Sequence, residues 1–173
     1  MEVKSFLVLI KKEETYAESS EKMKKAYAII IRNGLILLVR RPGLPIWELP
    51  GGELFHDENE RNGMKRLISE DLGLLSDIQD LIGIYTKEYM DDLTYVYKAK
   101  EVETQPQKPI NSPVYSAANF FDIHNPPLNI HPDQKQQIKD YLSGNYPVRT
   151  RLKTWKWLFR LKKYIQLKRS SEE

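Results

Sequence analysis

Cysteine is absent from this chain of 173 residues, and so is any long hydrophobic run. Without cysteine the chain forms neither disulfides nor thiolate metal sites, which agrees with a reducing compartment. The longest apolar runs, at residues 6–10 and 35–39, are far too short to cross a bilayer as a helix. The first residues do not have the pattern of a signal peptide. We therefore expect a cytoplasmic protein.

The charges are unevenly distributed along the chain. Residues 147–173 carry nine Lys or Arg and two Glu, whereas the preceding residues carry 18 basic and 22 acidic side chains. The total, +3, conceals a mildly acidic body and a strongly basic tail. Such a division predicts that the tail contacts something anionic, which can be a membrane, a nucleic acid or the acidic surface of the domain itself. Nucleic acid is the partner we least expect.

The basic tail has the pattern of an amphipathic helix. On a helical wheel its apolar and basic side chains fall on opposite sides: the apolar set is Trp157, Leu158, Leu161, Tyr164 and Ile165, and the basic set is Lys156, Arg160 and Lys163. We accordingly divide the chain into a domain at residues 1–145 and a helical tail at 146–173. Docking on the domain or in a homodimer is one interpretation. Binding to an anionic membrane through residues 149–169, which would make the protein peripheral there, is the other.

Strand patterns alternate with turn signals through the body of the chain. Asn33 and Gly34 separate two β-rich runs and form a strong hairpin signal. Further strands are predicted at residues 3–11, 27–32, 35–41, 81–87, 93–100 and 114–121. Pro132 suits the first turn of a closing helix, and Gly144 suits its end.

The stretch from residue 47 to residue 75 organises the chain. Gly51 and Gly52 follow a short apolar run and precede a segment with helical spacing, which predicts a strand, a tight turn and then a helix. We expect this helix to begin near Asp57 or Glu58 and to end at Gly73. Adjacent carboxylates at positions 70 and 71, facing a glycine turn, form a candidate Mg2+ site, because that ion prefers oxygen ligands.

These residues resemble the signature of the Nudix hydrolases, G-x5-E-x7-R-E-U-x-E-E-x-G-U, in which U is a bulky aliphatic residue. The matching residues are Gly52, Glu58, Arg66, Ile68, Glu70, Gly73 and Leu74, with Asp71 in place of the second Glu of the E-E pair. Leu67 departs from the signature, because the family has a Glu there. The resemblance implies an α/β fold of the α/β/α sandwich type with a mixed central sheet.

The resemblance also implies an activity, namely hydrolysis of a nucleoside diphosphate linked to another group, with Mg2+ or Mn2+ as cofactor. It implies that Glu70 and Asp71 bind the metal together with the carbonyl of Gly51. Arg66 would then orient a neighbouring carboxylate, and Glu58 would support the loop or a second ion.

Residues just before the signature are candidates for binding the substrate. In proteins of this family that segment helps to shape the substrate pocket, so the candidates are Arg40, Arg41 and Trp47, together with Gly51 and Gly52. An equally good interpretation is purely structural: Arg40 and Arg41 are solvated residues at the end of a strand, and Trp47 belongs to the core.

Leu67 leaves two hypotheses open. The loop between the strands of the second hairpin carries Glu88, Asp91 and Asp92. Each of them is either part of a solvated turn, which Asp suits, or a replacement carboxylate for an active pyrophosphohydrolase. Alternatively, the chain is a catalytically impaired module that binds nucleotides or regulates a partner. The persistence of Glu58, Arg66, Glu70 and Asp71 together favours the hydrolase.

Overall fold

The structure, a computed structural model, describes residues 22–87, 90–102, 110 and 112–152. The predicted strand at residues 3–11, Glu88 and the tail beyond residue 152 lie outside the described residues, as does the side chain of Asp91.

Within the described ranges the chain forms eight strands and two helices. They are β1 (Met23–Arg32), β2 (Leu35–Arg40), β3 (Trp47–Glu48), β4 (Gly51–Glu53), α1 (Glu60–Leu72), β5 (Ser76–Lys87), β6 (Met90–Glu101), β7 (Ala117–Asp122), α2 (Pro132–Ser143) and β8 (Val148–Leu152). All eight strands belong to one sheet, whose central path is β3-β2-β1-β6-β5-β8, while β4 pairs with β1 and β7 pairs with β2. The sheet is mixed, because β1 and β6 are parallel, as are β5 and β8, and the other pairs are antiparallel.

The two helices cover opposite faces of this sheet. Alternation along β1 sends Ala26, Ala28 and Ile30 into one apolar cluster and Ile29 into the other. The first cluster includes the buried side of α1, and the second includes Ile138 of α2. Burial on both faces explains why β1 lacks polar residues in its centre. The predicted α/β/α sandwich with a mixed sheet is confirmed.

The structure has the predicted hairpin turn and the predicted end of the first helix. Asn33 and Gly34 have φ angles of 51° and 79°, as a two-residue type I′ hairpin requires, and Arg32 pairs with Leu35 across the turn. Gly73 ends α1 in the left-handed conformation with φ of 66°. The second predicted hairpin corresponds to the antiparallel pair of β5 and β6.

Some element boundaries differ from the prediction. Helix α1 begins at Glu60, later than Asp57 or Glu58, because the side chain of Asn59 caps it by accepting from the backbone N–H groups of Arg61 and Asn62. Strand β7 spans Ala117–Asp122 rather than residues 114–121. Its start is set by the antiparallel pairing of Ala117 with Arg40 of β2.

The sheet continues past residue 145, where we predicted the domain to end. Strand β8 pairs in parallel with β5, from Val148 beside Gly83 to Leu152 beside Lys87. Residues 149–152, predicted to be helical, are therefore extended, because the edge of β5 offers them backbone hydrogen-bond partners. Among the described residues, no helix is long and apolar enough to cross a membrane.

A substitution at Gly51 tests the tightest backbone approach in the fold. A Cβ atom on Gly51, whose φ is 147°, would lie 2.1 Å from the carbonyl oxygen of Ala26 and 2.7 Å from the Cα atom of Tyr27. We therefore expect Gly51→Ala to lower the free energy of unfolding by at least about 3 kcal/mol in urea titrations.

Gly52→Ala is the matched control. A Cβ atom there would meet nothing closer than 3.7 Å, so we expect a change within about 1 kcal/mol. Equal losses of stability in the two variants would contradict the role given to the backbone of Gly51.

Candidate functional site

Two consecutive glycines, Gly51 and Gly52, begin the short strand β4, and we call them the diglycine bend. The tight turn that we predicted at these glycines is wrong, because both pair with β1 in the sheet. Gly51 pairs with Tyr27 and Gly52 with Ala26 of the central strand β1. Because β1 is held on its other side by β6, the bend is anchored to the middle of the sheet. The carbonyl of Gly51 thus has a fixed position.

Arg66 connects the loop before α1 to the end of that helix. Its Nε and Nη2 atoms donate to the two carboxylate oxygens of Glu58 at 2.7 and 2.8 Å, and its Nη1 atom donates to Glu70 Oε2 at 3.0 Å. The guanidinium also lies over the ring of Phe55, 3.9 Å from its centroid. A bidentate pair of this kind restricts both partners in angle as well as in distance. We call this set of contacts the Arg66 clamp.

The clamp changes the protonation behaviour of Glu58 and holds Glu70 in place. The hydrogen bonds from Arg66 hold the pKa of the Glu58 carboxyl below its ordinary value. Glu70 is more open, with 61% of its side chain exposed. Arg66 therefore contacts the Glu70 carboxylate directly, and the orienting role that the resemblance implies for Arg66 stays a prediction.

Tyr115 joins the bend to α1. Its hydroxyl accepts from the N–H of Gly51 at 3.1 Å and lies 3.1 Å from the Gly51 carbonyl and 3.4 Å from Asp71 Oδ2, to either of which it can donate. Burial raises the pKa of Tyr115 to about 12, so the hydroxyl stays protonated and remains a donor at neutral pH. Burial also raises the pKa of Asp71, against the opposing effects of Arg41 and Tyr115. One hydroxyl thus brings together two of the three predicted metal ligands.

Arg41 occupies the other side of the bend. Its Nη2 atom donates to the Gly51 carbonyl at 2.8 Å, and its Nε atom donates to Glu48 Oε1 at 2.5 Å. About a third of its side chain is exposed, at 34%. A partly exposed arginine near Asp71 is suited to contact phosphate oxygens, because its planar guanidinium carries five N–H donors.

Leu67 belongs to the apolar core rather than to the polar site. Its side chain is 8% exposed and packs in the cluster under α1. A Cβ atom on Gly52 would lie 3.9 Å from Leu67 Cδ2 and 3.7 Å from Arg41 Nη2, so the two side chains flank the bend together. An apolar group therefore stands where the Nudix signature has a carboxylate.

Glu70 and Asp71 are adjacent carboxylates near the end of α1, a pair of the kind that suits a divalent ion. Mg2+ is commonly bound by one or two carboxylates, with water and substrate phosphate completing its coordination. No group of three or more His, Cys, Asp or Glu residues suited to a metal occurs among the described residues. The Gly51 carbonyl already accepts from Arg41 and lies within reach of the Tyr115 hydroxyl, so an ion that used this carbonyl would have to displace one of these donors. Among the described residues, the candidate metal ligands are thus these two carboxylates.

The remaining predicted residues are placed elsewhere. Arg40 pairs with Trp47 across β2 and β3, and its guanidinium lies 5.3 Å from the centroid of that ring, which in turn packs edge-on against Phe121. Asp92 is buried and paired with Lys25 Nζ at 3.2 Å, and it joins no metal-binding group with Glu70 and Asp71. The described part of the acidic loop therefore brings no replacement carboxylate to the site.

Comparison with known proteins identifies the family. The model of the NUDIX domain matches residues 22–141 of the chain. The chain belongs to the Nudix family. The predictions of this family and of a hydrolase acting on acid anhydrides in phosphorus-containing substrates are confirmed.

Three proteins illustrate the Nudix similarity. A Bacillus subtilis protein with the provisional name 8-oxo-dGTP diphosphatase is 26% identical over 129 residues, which are 74% of this chain and 85% of that protein. The CTP pyrophosphohydrolase of Escherichia coli is 30% identical over 74 residues, covering 40% of this chain and 55% of that protein. The crystal structure of a Nudix hydrolase from Nitrosomonas europaea superposes with a TM-score of 0.64 at 16% identity, covering 79% of this chain and 82% of that one.

Sequence reasoning missed two residues of this Nudix site. Glu48, within the organising stretch, pairs with Arg41, and its position beside the bend was a usable signal. Tyr115 lies 64 positions from Gly51 in the chain. No local pattern marks it, since its role arises only when β7 is brought beside β2.

The pKa of Glu58 leads to a pH-dependent prediction. Because its folded-state pKa is lowered from the ordinary 4.5, the ion pair stabilises the fold above about that pH, and the stabilisation is lost as pH falls through the lowered value. We expect Glu58→Gln to reduce the free energy of unfolding by about 1–3 kcal/mol at pH 7. The difference from the wild type should shrink steadily below pH 4.5.

Urea titrations at pH 7 and at a series of acidic values measure this difference. Glu53→Gln, at an exposed glutamate of β4, is the control and should change little. A difference between Glu58→Gln and the wild type that stays constant with pH would contradict the assignment.

Proposed function

We propose that this Nudix protein hydrolyses a nucleoside diphosphate linked to another group, by attack of water on phosphorus, in a reaction that depends on Mg2+ or Mn2+. The observation that carries the proposal is the meeting of the Gly51 carbonyl and the Asp71 carboxylate at one tyrosine hydroxyl. The Arg66 clamp holds Glu70 next to Asp71 on the same helix. Glu70 and Asp71 are then the two candidate metal ligands, and 61% of the Glu70 side chain is exposed.

Phosphoryl transfer is mostly a matter of positioning and of neutralising charge. A divalent ion, when bound, supplies charge neutralisation of the diphosphate. Glu70 and Asp71 provide the carboxylates for that ion, and Arg66 keeps Glu70 from rotating away. Arg41 lies beside the same point with donors that suit a phosphate oxygen. Tyr115 stabilises the ionised form of Asp71, which counters the effect of its burial.

The names of the relatives support a nucleotide-like substrate. One is provisionally named for 8-oxo-dGTP and the other for CTP. Both names describe cleavage of a nucleoside polyphosphate, which agrees with a site built from paired carboxylates and an arginine. We extend this class, rather than either compound, to the present chain.

Removal of the two carboxylates tests the proposed chemistry. We expect Glu70→Gln and Asp71→Asn each to reduce turnover by about a hundredfold or more, because each removes a charge that holds the ion. Release of phosphate and pyrophosphate from a panel of nucleotides with Mg2+ or Mn2+ measures turnover. Binding of Mn2+ followed by electron paramagnetic resonance provides a second readout.

Asp80→Asn, at an exposed carboxylate of β5, is the matched control and should retain wild-type turnover. Turnover that persists unchanged in Glu70→Gln would exclude this site. A wild-type protein that binds nucleotides but turns over none of them would favour the impaired binding module instead.

A substitution at Leu67 tests whether an added carboxylate strengthens metal binding. We expect Leu67→Glu to tighten Mn2+ binding by about tenfold or more, because it adds a charged ligand to a site of two carboxylates. The same change should lower stability, since it places a charge at the edge of the apolar core. Leu67→Gln has the same shape without the charge, so equal Mn2+ affinities in the two variants would refute the prediction.

A further inference from the structure

Two carboxylates near the diglycine bend are already paired with arginines. Both oxygens of Glu58 accept from Arg66, at 2.7 and 2.8 Å. Glu48 Oε1 accepts from the Nε atom of Arg41 at 2.5 Å, and only 14% of the Glu48 side chain is exposed. A carboxylate held in this way would have to give up a charge-assisted hydrogen bond in order to bind an ion. Neither Glu48 nor Glu58 is therefore a ready metal ligand.

The remaining candidate ligands suffice for one divalent ion. Among the described residues they are Asp71 and Glu70, of which Glu70 accepts from Arg66 through one oxygen and is 61% exposed. Mg2+ commonly takes one or two carboxylates from the protein. A second catalytic ion would lie only about 3.5–4 Å from the first. Leu67, buried in the apolar core, adds no negative charge to offset the repulsion between two such ions.

The guanidinium of Arg41 places a fixed positive charge beside these carboxylates. Its Nη2 atom donates to the Gly51 carbonyl at 2.8 Å, and the group lies 5.2 Å from the centroid of the Tyr115 ring. The charge of Arg41 reaches Asp71, because burial raises the pKa of that carboxyl and Arg41 opposes the rise. Together with the Glu48 ion pair, these contacts hold the guanidinium without any ligand.

Arg41 and Leu67 lie side by side at the bend. The position of a Cβ atom on Gly52 is 3.7 Å from Arg41 Nη2 and 3.9 Å from Leu67 Cδ2. A glutamate at position 67 would bring a carboxylate toward this guanidinium, whereas leucine does not compete for its N–H groups. A guanidinium carries five N–H donors, more than the two hydrogen bonds of Arg41 use. The others suit the oxygens of a diphosphate.

We propose that the site binds one divalent ion and that the guanidinium of Arg41 neutralises the diphosphate where a second ion would otherwise be needed. Arginine supplies such positive charge in other phosphoryl-transfer sites. Leu67 belongs to the same arrangement, because a carboxylate there would attract a second ion and would compete with the diphosphate for Arg41. This inference rests on the proposed function for the nature of the substrate.

Electron paramagnetic resonance of bound Mn2+ counts the ions. The full-length protein is titrated with Mn2+ alone and together with methylenediphosphonate, which resembles a diphosphate but has a P–C–P bridge that is not hydrolysed. We expect one Mn2+ per chain in both titrations, with the spectrum of an isolated ion. A spectrum of two magnetically coupled ions in either titration would overturn the proposal, as would a lack of Mn2+ binding at millimolar concentration.

Arg41→Gln separates the proposed role from a structural one, because it should shift two affinities in opposite directions. Loss of the cation removes a charge that repels metal and frees the Gly51 carbonyl, so we expect Mn2+ alone to bind about three- to tenfold more tightly. Methylenediphosphonate, titrated calorimetrically at saturating Mn2+, should bind about ten- to a hundredfold more weakly, because it loses charge-assisted hydrogen bonds.

Arg151→Gln, at an exposed arginine of β8, is the matched control and should change neither affinity. Weaker binding of both ligands to Arg41→Gln would show that Arg41 only supports the fold of the site, and the proposal would then be rejected. Equal effects of Arg41→Gln and Arg151→Gln would reject it as well. If Arg41→Gln does not fold, Arg41→Met removes the same charge and takes its place.

The outcomes for hydrolysis and for the number of ions are separable. Loss of turnover with every nucleotide, together with one bound Mn2+ and opposite shifts in Arg41→Gln, would reject the proposed reaction and leave the role of Arg41 in place. Turnover that depends on Glu70 but is accompanied by a coupled pair of Mn2+ ions would do the reverse.

Discussion

The close approach of the Gly51 backbone to β1 is the constraint on which the site depends. The space where a side chain would begin is taken by the carbonyl of Ala26, so that only a glycine allows the bend to pair with the central strand. This pairing fixes the carbonyl of Gly51 between Arg41 and Tyr115. The cost of an unusual backbone conformation is offset by strand hydrogen bonds on both sides of β1.

Helix α1 divides its residues between stability and chemistry. Met64, Ile68 and Leu72 hold it against the sheet, and their burial is independent of any ligand. The Arg66 clamp then uses the outer face of the same helix to position a carboxylate. Leu67 packs in the apolar core with these residues, although the family signature has a carboxylate at that position. The Nudix site of this chain therefore has less negative charge of its own, while the positive charge of Arg41 lies close by.

The two faces of the sheet carry different polar groups. On the α1 face lie the carboxylates and the bend, which suit a diphosphate. On the α2 face lies a small polar cavity whose lining includes Lys25, Glu48 and Asp92. Arg41 and Glu48 link the two, because one guanidinium contacts both the bend and the cavity wall.

The sequence alone determined the features that depend on neighbouring residues. The turn at Asn33 and Gly34, the end of α1 at Gly73 and the shared face of Arg66 and Glu70 follow from backbone conformations and helical spacing, which act over a few positions. The spacing of the Nudix signature belongs to the same class, because it is held by one turn and one helix.

Only the tertiary structure decided which distant residues meet. Tyr115 reaches Asp71 across 44 positions, Asp92 turns toward Lys25 across 67, and β8 extends the sheet beyond the predicted end of the domain. These contacts depend on the order of strands in the sheet and on the packing of both helices. No periodicity or local propensity encodes such distances, because each is the result of the whole core being formed at once.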